Sequence, residues 1–217
     1  MKRKDDAISE VLNQLMFYIL SGIDYASKLA EKTGKSIPVV YRQLELLINK
    51  NLINKKREGK KVVYFINWKT LSEVIASVLL LDFKNFKKTV NEPEYKILID
   101  EVPGEMLKDK DKLSSLVRNI AEDKATSTLF RDFFIKINEL GKGFVNFNTM
   151  ALKSSIDYFL DIFGMVSLDQ QKKFLSNWFE ENNKNLEMFL KICRIRYLQK
   201  LTADPRHNLI ESIFKKA

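Results

Sequence analysis

Residues 24–66 constrain the fold more than any other part of the chain, because their apolar spacing changes within a short distance. Asp24–Gly34 and Ile37–Lys50 place apolar residues three and four positions apart, the spacing of one helix face. The pattern then changes to the β-branched and aromatic run Val62–Ile66, which predicts a strand with Leu52–Lys55 as its partner. The sequence therefore predicts two helices joined by a tight turn and followed by a hairpin.

Residues that favour helix boundaries flank these segments. A preceding helix is predicted over Ile8–Leu20 from its apolar spacing. Asp24 is a suitable N-cap for the next helix, and Gly34 is suited to end it. Ser36 is predicted to cap the third helix, and Pro38 falls in its first turn, where a missing N–H costs little. Three helices are thus expected before the hairpin.

Positive charge is concentrated in the same part of the chain. The formal net charge is +9, and residues 1–90 contain 17 Lys and Arg against 9 Asp and Glu. Residues 91–217 contain 20 against 19 and are nearly neutral. A basic half suits a polyanionic partner, and a neutral half suits packing or assembly. The alternative is a protein that is basic without a polyanion to bind.

The helix Ile37–Lys50 has two different faces when it is drawn as a helical wheel. Ile37, Val40, Leu44 and Leu47 fall on one face, which is predicted to pack inward. The other face offers the short or planar polar groups that a helix in a major groove needs near its start. The residues predicted to meet the groove are Lys35, Ser36, Val39, Tyr41, Arg42 and Gln43.

The chemistry of these side chains suggests individual roles. Arg42 can fork to a guanine edge or clamp a phosphate, and Tyr41 can donate a hydrogen bond to a phosphate. Val39 can touch a thymine methyl group, and Lys35 lies at the helix start, where backbone amides favour phosphate. The alternative is that Arg42 and Glu45, three residues apart, form an ion pair on a solvated face.

The predicted hairpin has a strongly basic tip around the predicted loop Arg57–Lys61. Within seven residues it carries the five cations Lys55, Lys56, Arg57, Lys60 and Lys61. Such a tip is expected to lie along a DNA backbone or to enter the adjacent minor groove. The alternative is a solvated run of charge that keeps an edge hairpin soluble.

The hairpin is followed by a strongly apolar helix, Leu71–Val90, which is expected to be buried on more than one side. It is predicted to link a domain at 1–70 to a domain at 91–217, since Glu92-Pro93 disfavours helix. We predict that this helix pairs with its copy in a dimer, the alternative being packing on residues 94–217 of its own chain. The residues predicted for the dimer contact are Leu71, Val74, Ile75, Val78, Leu79 and Phe83.

The second half of the chain is predicted to be all-helical. Helices are expected near 94–101, 111–140 with a break around Asp123, 148–163, 168–201 with a weak point at Asn182-Asn183, and 204–215. Ser167 and Gln170 fit a capping box. The predicted fold class is therefore mainly α, with three helices and a β-hairpin wing followed by an all-α domain.

Aromatic residues recur at helical spacing in this second half. They would form either an ordinary core or the lining of a pocket for an effector ligand or protein of unknown identity. The set comprises Phe130, Phe133, Phe134, Phe144, Phe147, Phe159, Phe163, Phe174, Trp178, Phe179 and Phe189.

The stretch Val40–Ile53 resembles the recognition helix and the start of the wing in winged-helix regulators of the ArsR and MarR type. In that pattern an inward aliphatic residue is followed by a small polar residue, Arg and a Leu-x-x-Leu repeat, before a Gly-Leu-[Ile/Val] turn. Asn51 stands where the family usually has Gly, and Tyr41 where a small Ser is common. The resemblance covers about residues 8–70. It implies a dimer on a pseudo-palindromic site, with the wing on flanking DNA.

Other classes of function find little support in the sequence. Cys193 is the only cysteine, which suits a reducing cytoplasm, and with His207 it is too little for a metal sensor. No glycine-rich phosphate loop, zinc-protease pair or nucleophile elbow is present, so neither catalysis nor a cofactor is expected. No apolar run approaches the length that spans a bilayer, so no membrane partner is expected.

Together these observations predict a sequence-specific transcriptional regulator that binds double-stranded DNA as a homodimer in the cytoplasm, associated with the nucleoid. One alternative keeps DNA as the partner: a plasmid or viral replication, partition or nucleoid-architecture protein. Another alternative is a winged-helix module for protein–protein interaction, with the basic wing docked on an acidic partner.

Overall fold

The computed structural model is mainly helical, with one two-stranded antiparallel sheet that follows three helices. It describes residues 14–85, 93–123, 128, 152–178 and 184–203. No helix in these ranges is long and apolar enough to cross a membrane. This order of elements is compatible with a winged helix.

The chain forms two compact units. One consists of Met1–Ser72 with Ala121–Ser155, and the other of Glu73–Ile120 with Ile156–Ala217. The first unit begins with the helical residues 14–20 (α1), α2 (Ala26–Thr33), α3 (Ile37–Asn49), β1 (Ile53–Glu58) and β2 (Lys61–Ile66). The helices α2 and α3 and the hairpin are those that the sequence predicts.

A short left-handed turn joins α2 to α3. Gly34 has a φ of 64°, and the amides of Gly34 and Lys35 donate to the carbonyls of Glu31 and Ala30 at 3.4 and 3.2 Å. A residue with a side chain is strained at such a φ, so glycine is the residue that lets α2 end here. Ser36 stands at the predicted N-cap of α3, although its side chain makes no capping hydrogen bond.

Asp24 was predicted as the N-cap of α2, and this prediction is wrong, because the N-cap is Tyr25. Asp24 instead lies beside the hairpin, where its carbonyl oxygen accepts a hydrogen bond from the amide of Tyr64 at 2.7 Å. The backbone of Asp24 therefore pairs with β2, and the helix begins after it.

The hairpin has a tighter loop than the sequence predicts. Glu58 pairs with Lys61, which leaves a two-residue loop with Gly59 at a φ of 62°. A positive φ at the first loop position suits the twist of a two-residue hairpin. The predicted loop Arg57–Lys61 is therefore too long, and Arg57 and Lys61 lie within the strands. Asn51 takes a φ of 61° between α3 and β1, the left-handed conformation that Asn tolerates.

The interior of the first unit is apolar. Leu15, Leu29, Val40, Leu44 and Leu47 have no exposed surface. The sequence predicts that Ile37 packs inward with Val40, Leu44 and Leu47. This prediction is wrong, because 45 % of Ile37 is exposed. The reason is its place in the first turn, where the side chain is directed toward the N-terminal end of the helix and away from the packed turns.

After the sheet, α4 (Trp68–Asn85) carries the residues predicted for a dimer contact. Leu71, Val78 and Leu79 are buried within the single chain. Val74 and Ile75 are half-buried, while the side chain of Phe83 lies outside the described part. Of this set, Val74 and Ile75 retain exposed surface, and the dimer contact stays a prediction.

Five further helices follow α4. They are α5 (Pro93–Glu101), α6 (Lys110–Glu122), α7 (Leu152–Met165), α8 (Leu168–Trp178) and α9 (Lys184–Ala203). The capping box at the start of α8 is confirmed, since the Ser167 amide donates to Gln170 Oε1 at 3.1 Å and the Gln170 amide to Ser167 Oγ at 3.4 Å. The predicted weak point at Asn182-Asn183 and the predicted helix 204–215 lie outside the described residues.

Part of the predicted aromatic set is described. Phe163 and Phe189 pack edge to face, with ring centroids 6.0 Å apart. Phe189 is buried, and Phe159 and Phe163 are half-buried. The side chains of the other members lie outside the described residues: Phe130, Phe133, Phe134, Phe144, Phe147, Phe174, Trp178 and Phe179. The contact between Phe163 and Phe189 is that of packed side chains within the second unit.

A cluster of charges holds α9 against α7 in the second unit. Arg196 has no exposed surface and forms ion pairs with Asp157 and Asp161. Lys200 shares both carboxylates, at 3.0 and 2.8 Å. Because a buried guanidinium without partners is very costly, this pairing fixes how α9 sits on α7. Gly164 supports the same contact, since a side chain there would collide with the Cys193 carbonyl group.

A second ionic contact joins α5, α8 and α9. Glu94 accepts hydrogen bonds from Arg194 at 2.7 and 3.2 Å and from the amide of Leu168 at 2.6 Å. Burial alone would raise the pKa of Glu94, but the hydrogen bonds from Arg194 and Leu168 outweigh it. The pKa of Glu94 therefore lies below its ordinary value.

We expect Glu94 to make the stability of the second unit depend on pH. Because its pKa is lower in the folded state, its contribution is present above the unfolded-state pKa of about 4.3 and is lost as the pH falls through the folded-state pKa. The measurement is urea unfolding of the wild type and Glu94→Gln between pH 3 and pH 7. The variant should be less stable at pH 7, and the difference should shrink toward pH 3.

The matched control is Glu122→Gln, which removes an exposed carboxylate from α6. Its difference from the wild type should be small at every pH. If the difference caused by Glu94→Gln were constant from pH 7 to pH 3, the carboxylate would not be the group that stabilises this contact.

Candidate nucleic-acid interface

The helix α3 is buried on one side and open to solvent along the other. Val40, Leu44 and Leu47 are fully buried, and they lie four and three residues apart on one face. The other side of the helix is exposed from the first turn to the end: Pro38, Val39, Tyr41, Arg42, Glu45 and Asn49. Ile37 is exposed as well, because it lies in the first turn, before the packed part of the buried row. A continuous open face of this kind is accessible to a large partner.

The structure places most of the predicted groove residues on this open side. Lys35 and Ser36 are exposed in the turn before α3, and Val39, Tyr41 and Arg42 are exposed on the helix itself. These five side chains are accessible, and their contact with DNA stays a prediction.

Gln43 differs from the other predicted groove residues. It is half-buried, and its Oε1 atom is buried and accepts no hydrogen bond within the described part of the chain. Gln43 therefore lies at the border between the buried and the open side of α3, with its amide oxygen directed inward. This orientation leaves less of Gln43 accessible than of the other five predicted residues.

Glu45 connects the open face of α3 to the hairpin. Its carboxylate pairs with Lys55 of β1 at 2.8 Å, with 51 % and 49 % of the two side chains exposed. The alternative that paired Glu45 with Arg42 is not observed, and Arg42 makes no ion pair with any residue that the structure describes. The guanidinium of Arg42 is therefore left to the solvent side of α3.

The base of the hairpin lies beside α3. Tyr64 of β2 is 2 % exposed, and burial, with Tyr41 and Glu45 nearby, raises its pKa above the ordinary value. Tyr64 therefore stays a neutral phenol at physiological pH. Because Lys55 is the register partner of Tyr64, the ion pair with Glu45 and this buried ring lie at the same level of the hairpin.

The other wing cations surround the tip of the hairpin. Lys56 lies 3.3 Å from Glu58, and Arg57 donates from Nε to the carbonyl of Gly59 at 3.2 Å. Lys60 is in the loop, and all these cations are exposed. Since neighbouring residues of a strand point to opposite faces, Lys56 and Arg57 place positive charge on both faces of the ribbon.

The basic surface extends from the hairpin to the start of α2, a feature that the sequence analysis missed. The Nζ atoms of Lys61 and Lys28 each lie 5.3 Å from the ring centroid of Tyr25. These are cation–π distances. The ring reaches this place because Asp24, the preceding residue, pairs with Tyr64 of β2. The pattern of side chains in the sequence does not predict a backbone hydrogen bond of this kind, so the position of Tyr25 was missed.

Positive charge dominates this unit. Residues 14–72 contain 11 Lys and Arg against 4 Asp and Glu. Two of the four carboxylates, Glu45 and Glu58, are paired with wing lysines. The open face of α3 and the hairpin together therefore form a surface with an excess of positive charge, the sign that attracts polyanions.

The described residues contain no group of three or more His, Cys, Asp and Glu side chains arranged to hold a metal ion. Cys193 is fully buried in the second unit, and burial raises the pKa of its thiol well above the ordinary value. The thiol therefore stays protonated near neutral pH and packs as a small apolar group. His207 lies outside the described residues.

No protein-family model matches the chain, and no curated protein or solved structure matches it. The geometry and charge of the chain itself therefore carry the functional argument. The open side of α3, its ion pair with the hairpin and the cationic tip are the observations on which that argument rests.

We expect the Glu45–Lys55 pair to contribute weakly to stability, because both side chains are half-exposed. A double-mutant cycle with Glu45→Gln and Lys55→Gln should give a coupling free energy of about 0.2–1 kcal/mol at low salt. The coupling should fall in 1 M NaCl, where charges are screened within about 3 Å. Zero coupling at low salt would contradict the ion pair as a link between α3 and the wing.

Proposed function

We propose that residues 1–70, which lie in the first unit, form a winged helix-turn-helix domain that places α3 in the major groove of double-stranded DNA. In this proposal the chain is a sequence-specific transcriptional regulator, acts as a homodimer in the cytoplasm on the nucleoid, and has no enzymatic activity. The observation that supports it most is the open side of α3 beside a cationic hairpin. The all-helical remainder of the chain would serve assembly.

The dimensions of α3 suit a major groove. Its 13 residues span about 20 Å, and a helix about 10–12 Å in diameter fits a groove about 12 Å wide. The start of such a helix faces the base edges. There Arg42 is free to fork to a guanine, and Lys35 and Ser36 lie where the first helical amides attract a phosphate.

The hairpin would supply contacts to the sugar–phosphate backbone. The tip cations Arg57, Lys60 and Lys61 are exposed and are not paired with a carboxylate in the described residues. Lys55 is paired with Glu45, so its main role would be to position the wing, and its contribution to phosphate binding would be smaller. Phosphate contacts set register and orientation, while the bases are read from α3.

A dimer would double the number of base and phosphate contacts. One winged helix reads one half-site, and two copies read an inverted repeat with a spacing of about one helical turn. On α4, Val74 and Ile75 are the predicted dimer residues that the single chain leaves half-exposed. We place the contact between copies there, with help from the helical second half.

A selection from a random duplex pool tests the proposed function. The full chain should enrich an inverted repeat whose half-sites are centred about 10 base pairs apart. Light scattering on the same preparation should give the mass of a dimer. If no sequence is enriched over an unselected pool, sequence-specific DNA recognition is excluded.

A second candidate function is a protein-interaction module, because several apolar side chains at the start of α3 are exposed. Ile37, Val39 and Tyr41 are 45 %, 37 % and 46 % exposed. An acidic protein partner would bind such a surface without binding duplex DNA. The two functions therefore differ in one measurement: a shift of duplex DNA near physiological salt occurs only in the first.

Removing the tip cations should weaken DNA binding at all sequences. The variant Arg57→Ala, Lys60→Ala, Lys61→Ala should reduce the slope of log K against log salt by about two to three, because each lost phosphate contact accounts for about 0.9. Base preference should be retained, since it depends on α3. The measurement is fluorescence anisotropy with the selected duplex between 50 and 300 mM salt.

The matched control is Lys96→Ala, Lys108→Ala, Lys110→Ala, which removes the same charge from exposed positions of the helical remainder. Its salt slope should stay close to that of the wild type. An unchanged slope in the wing variant, or an equal loss in the control, would refute the assignment of the hairpin tip to the DNA backbone.

A further inference from the structure

Exposed apolar side chains are concentrated at the start of α3. Six large apolar residues of the described chain are exposed, and three of them, Ile37, Val39 and Tyr41, fall within five consecutive residues. Pro38, between them, is exposed as well. We call Ile37, Pro38, Val39 and Tyr41 the apolar start of α3.

Few polar groups on α3 are free to read bases by hydrogen bonds. Glu45 is paired with Lys55, and the amide oxygen of Gln43 is buried. Arg42 and Asn49 and the hydroxyl of Tyr41 remain on the open side. In a helix that enters a groove by its first turns, this leaves room for apolar contacts to contribute to the discrimination between bases.

The surroundings of the apolar start indicate what kind of partner fits it. Lys35 precedes it, Arg42 follows it, and the cationic hairpin lies beside α3. An apolar centre with a cationic rim fits a partner that has apolar groups at its centre and anions at its edges. The major groove of DNA is such a partner, with phosphates along its edges and the C5 methyl group of thymine on its floor.

We propose that the apolar start of α3, with Ile37 as its main contact, reads the C5 methyl groups of thymines in each half-site. This inference rests on the proposed DNA-binding function and specifies which base chemistry that function recognises. The chain then prefers thymine under the first turn of α3 and discriminates it from uracil, which differs by that methyl group. We expect no binding to an RNA duplex for two reasons: uracil lacks the methyl group, and the major groove of RNA is too narrow for a helix.

The test replaces single thymines by deoxyuridine, which leaves every hydrogen-bonding group of the base in place. The probe is the most enriched 30-base-pair duplex from the thymine-containing random pool, synthesised with one substitution at a time. Binding of the full chain is measured by fluorescence anisotropy. Affinity should fall about fourfold at each contacted thymine, the loss expected for one methyl-sized group, and should be unchanged elsewhere.

Matched protein variants assign the effect to a side chain. Ile37→Ser should weaken binding to the thymine duplex and leave binding to the deoxyuridine duplex nearly unchanged, so the discrimination disappears. Ile97→Ser is the control, because Ile97 of α5 is exposed to a similar extent, 50 %, and lies outside the proposed interface. This control should retain the full preference for thymine.

The outcomes separate this inference from the proposed function. If the duplex binds tightly and no deoxyuridine substitution weakens it, methyl reading is overturned while DNA binding stands. If Ile37→Ser keeps the full discrimination, the assignment of the methyl contact to Ile37 is overturned. If no duplex binds at all, both proposals fall, and the apolar start is left to a protein partner.

Discussion

The burial of Val40, Leu44 and Leu47 is the constraint on which the site depends. Each of these side chains loses all its exposed surface, and burial of one such side chain stabilises a fold by about 1.5–3 kcal/mol. Because only this row is buried, the rotation of α3 about its own axis is fixed. This rotation turns Arg42 and Tyr41 toward solvent, so the identity of the open face follows from packing on the opposite side.

The wing is fixed at its base and exposed at its tip. At the base, Tyr64 is buried, its amide donates to Asp24, and its register partner Lys55 reaches Glu45 of α3. At the tip, Gly59 closes a two-residue loop among exposed cations. This gradient suits the proposed function, since the base sets the position relative to α3 while the tip side chains adjust to phosphates.

The helical spacing and the β-branched run were sufficient to predict α2, α3 and the hairpin, because each pattern reflects which side chains are buried. The errors fall where burial does not determine the conformation. Ile37 has the wheel angle of a core residue but lies in the first turn of α3, which a wheel ignores. The strands continue through Arg57 because an exposed ribbon tolerates charge, and Asp24 joins β2 through its backbone. The burial of Arg196 was not predicted, because its partners Asp157 and Asp161 come from another helix.

The two halves of the chain use charge differently, which explains why nearly equal numbers of cations have different consequences. In the second unit, Glu94 pairs with Arg194, and Asp157 and Asp161 pair with Arg196 and Lys200. Such pairs cancel one another's field at a distance and define how helices pack. In residues 14–72 of the first unit the cations outnumber the carboxylates and are exposed. In the proposed function, the long-range attraction of DNA would therefore originate in the first unit, where the open side of α3 lies.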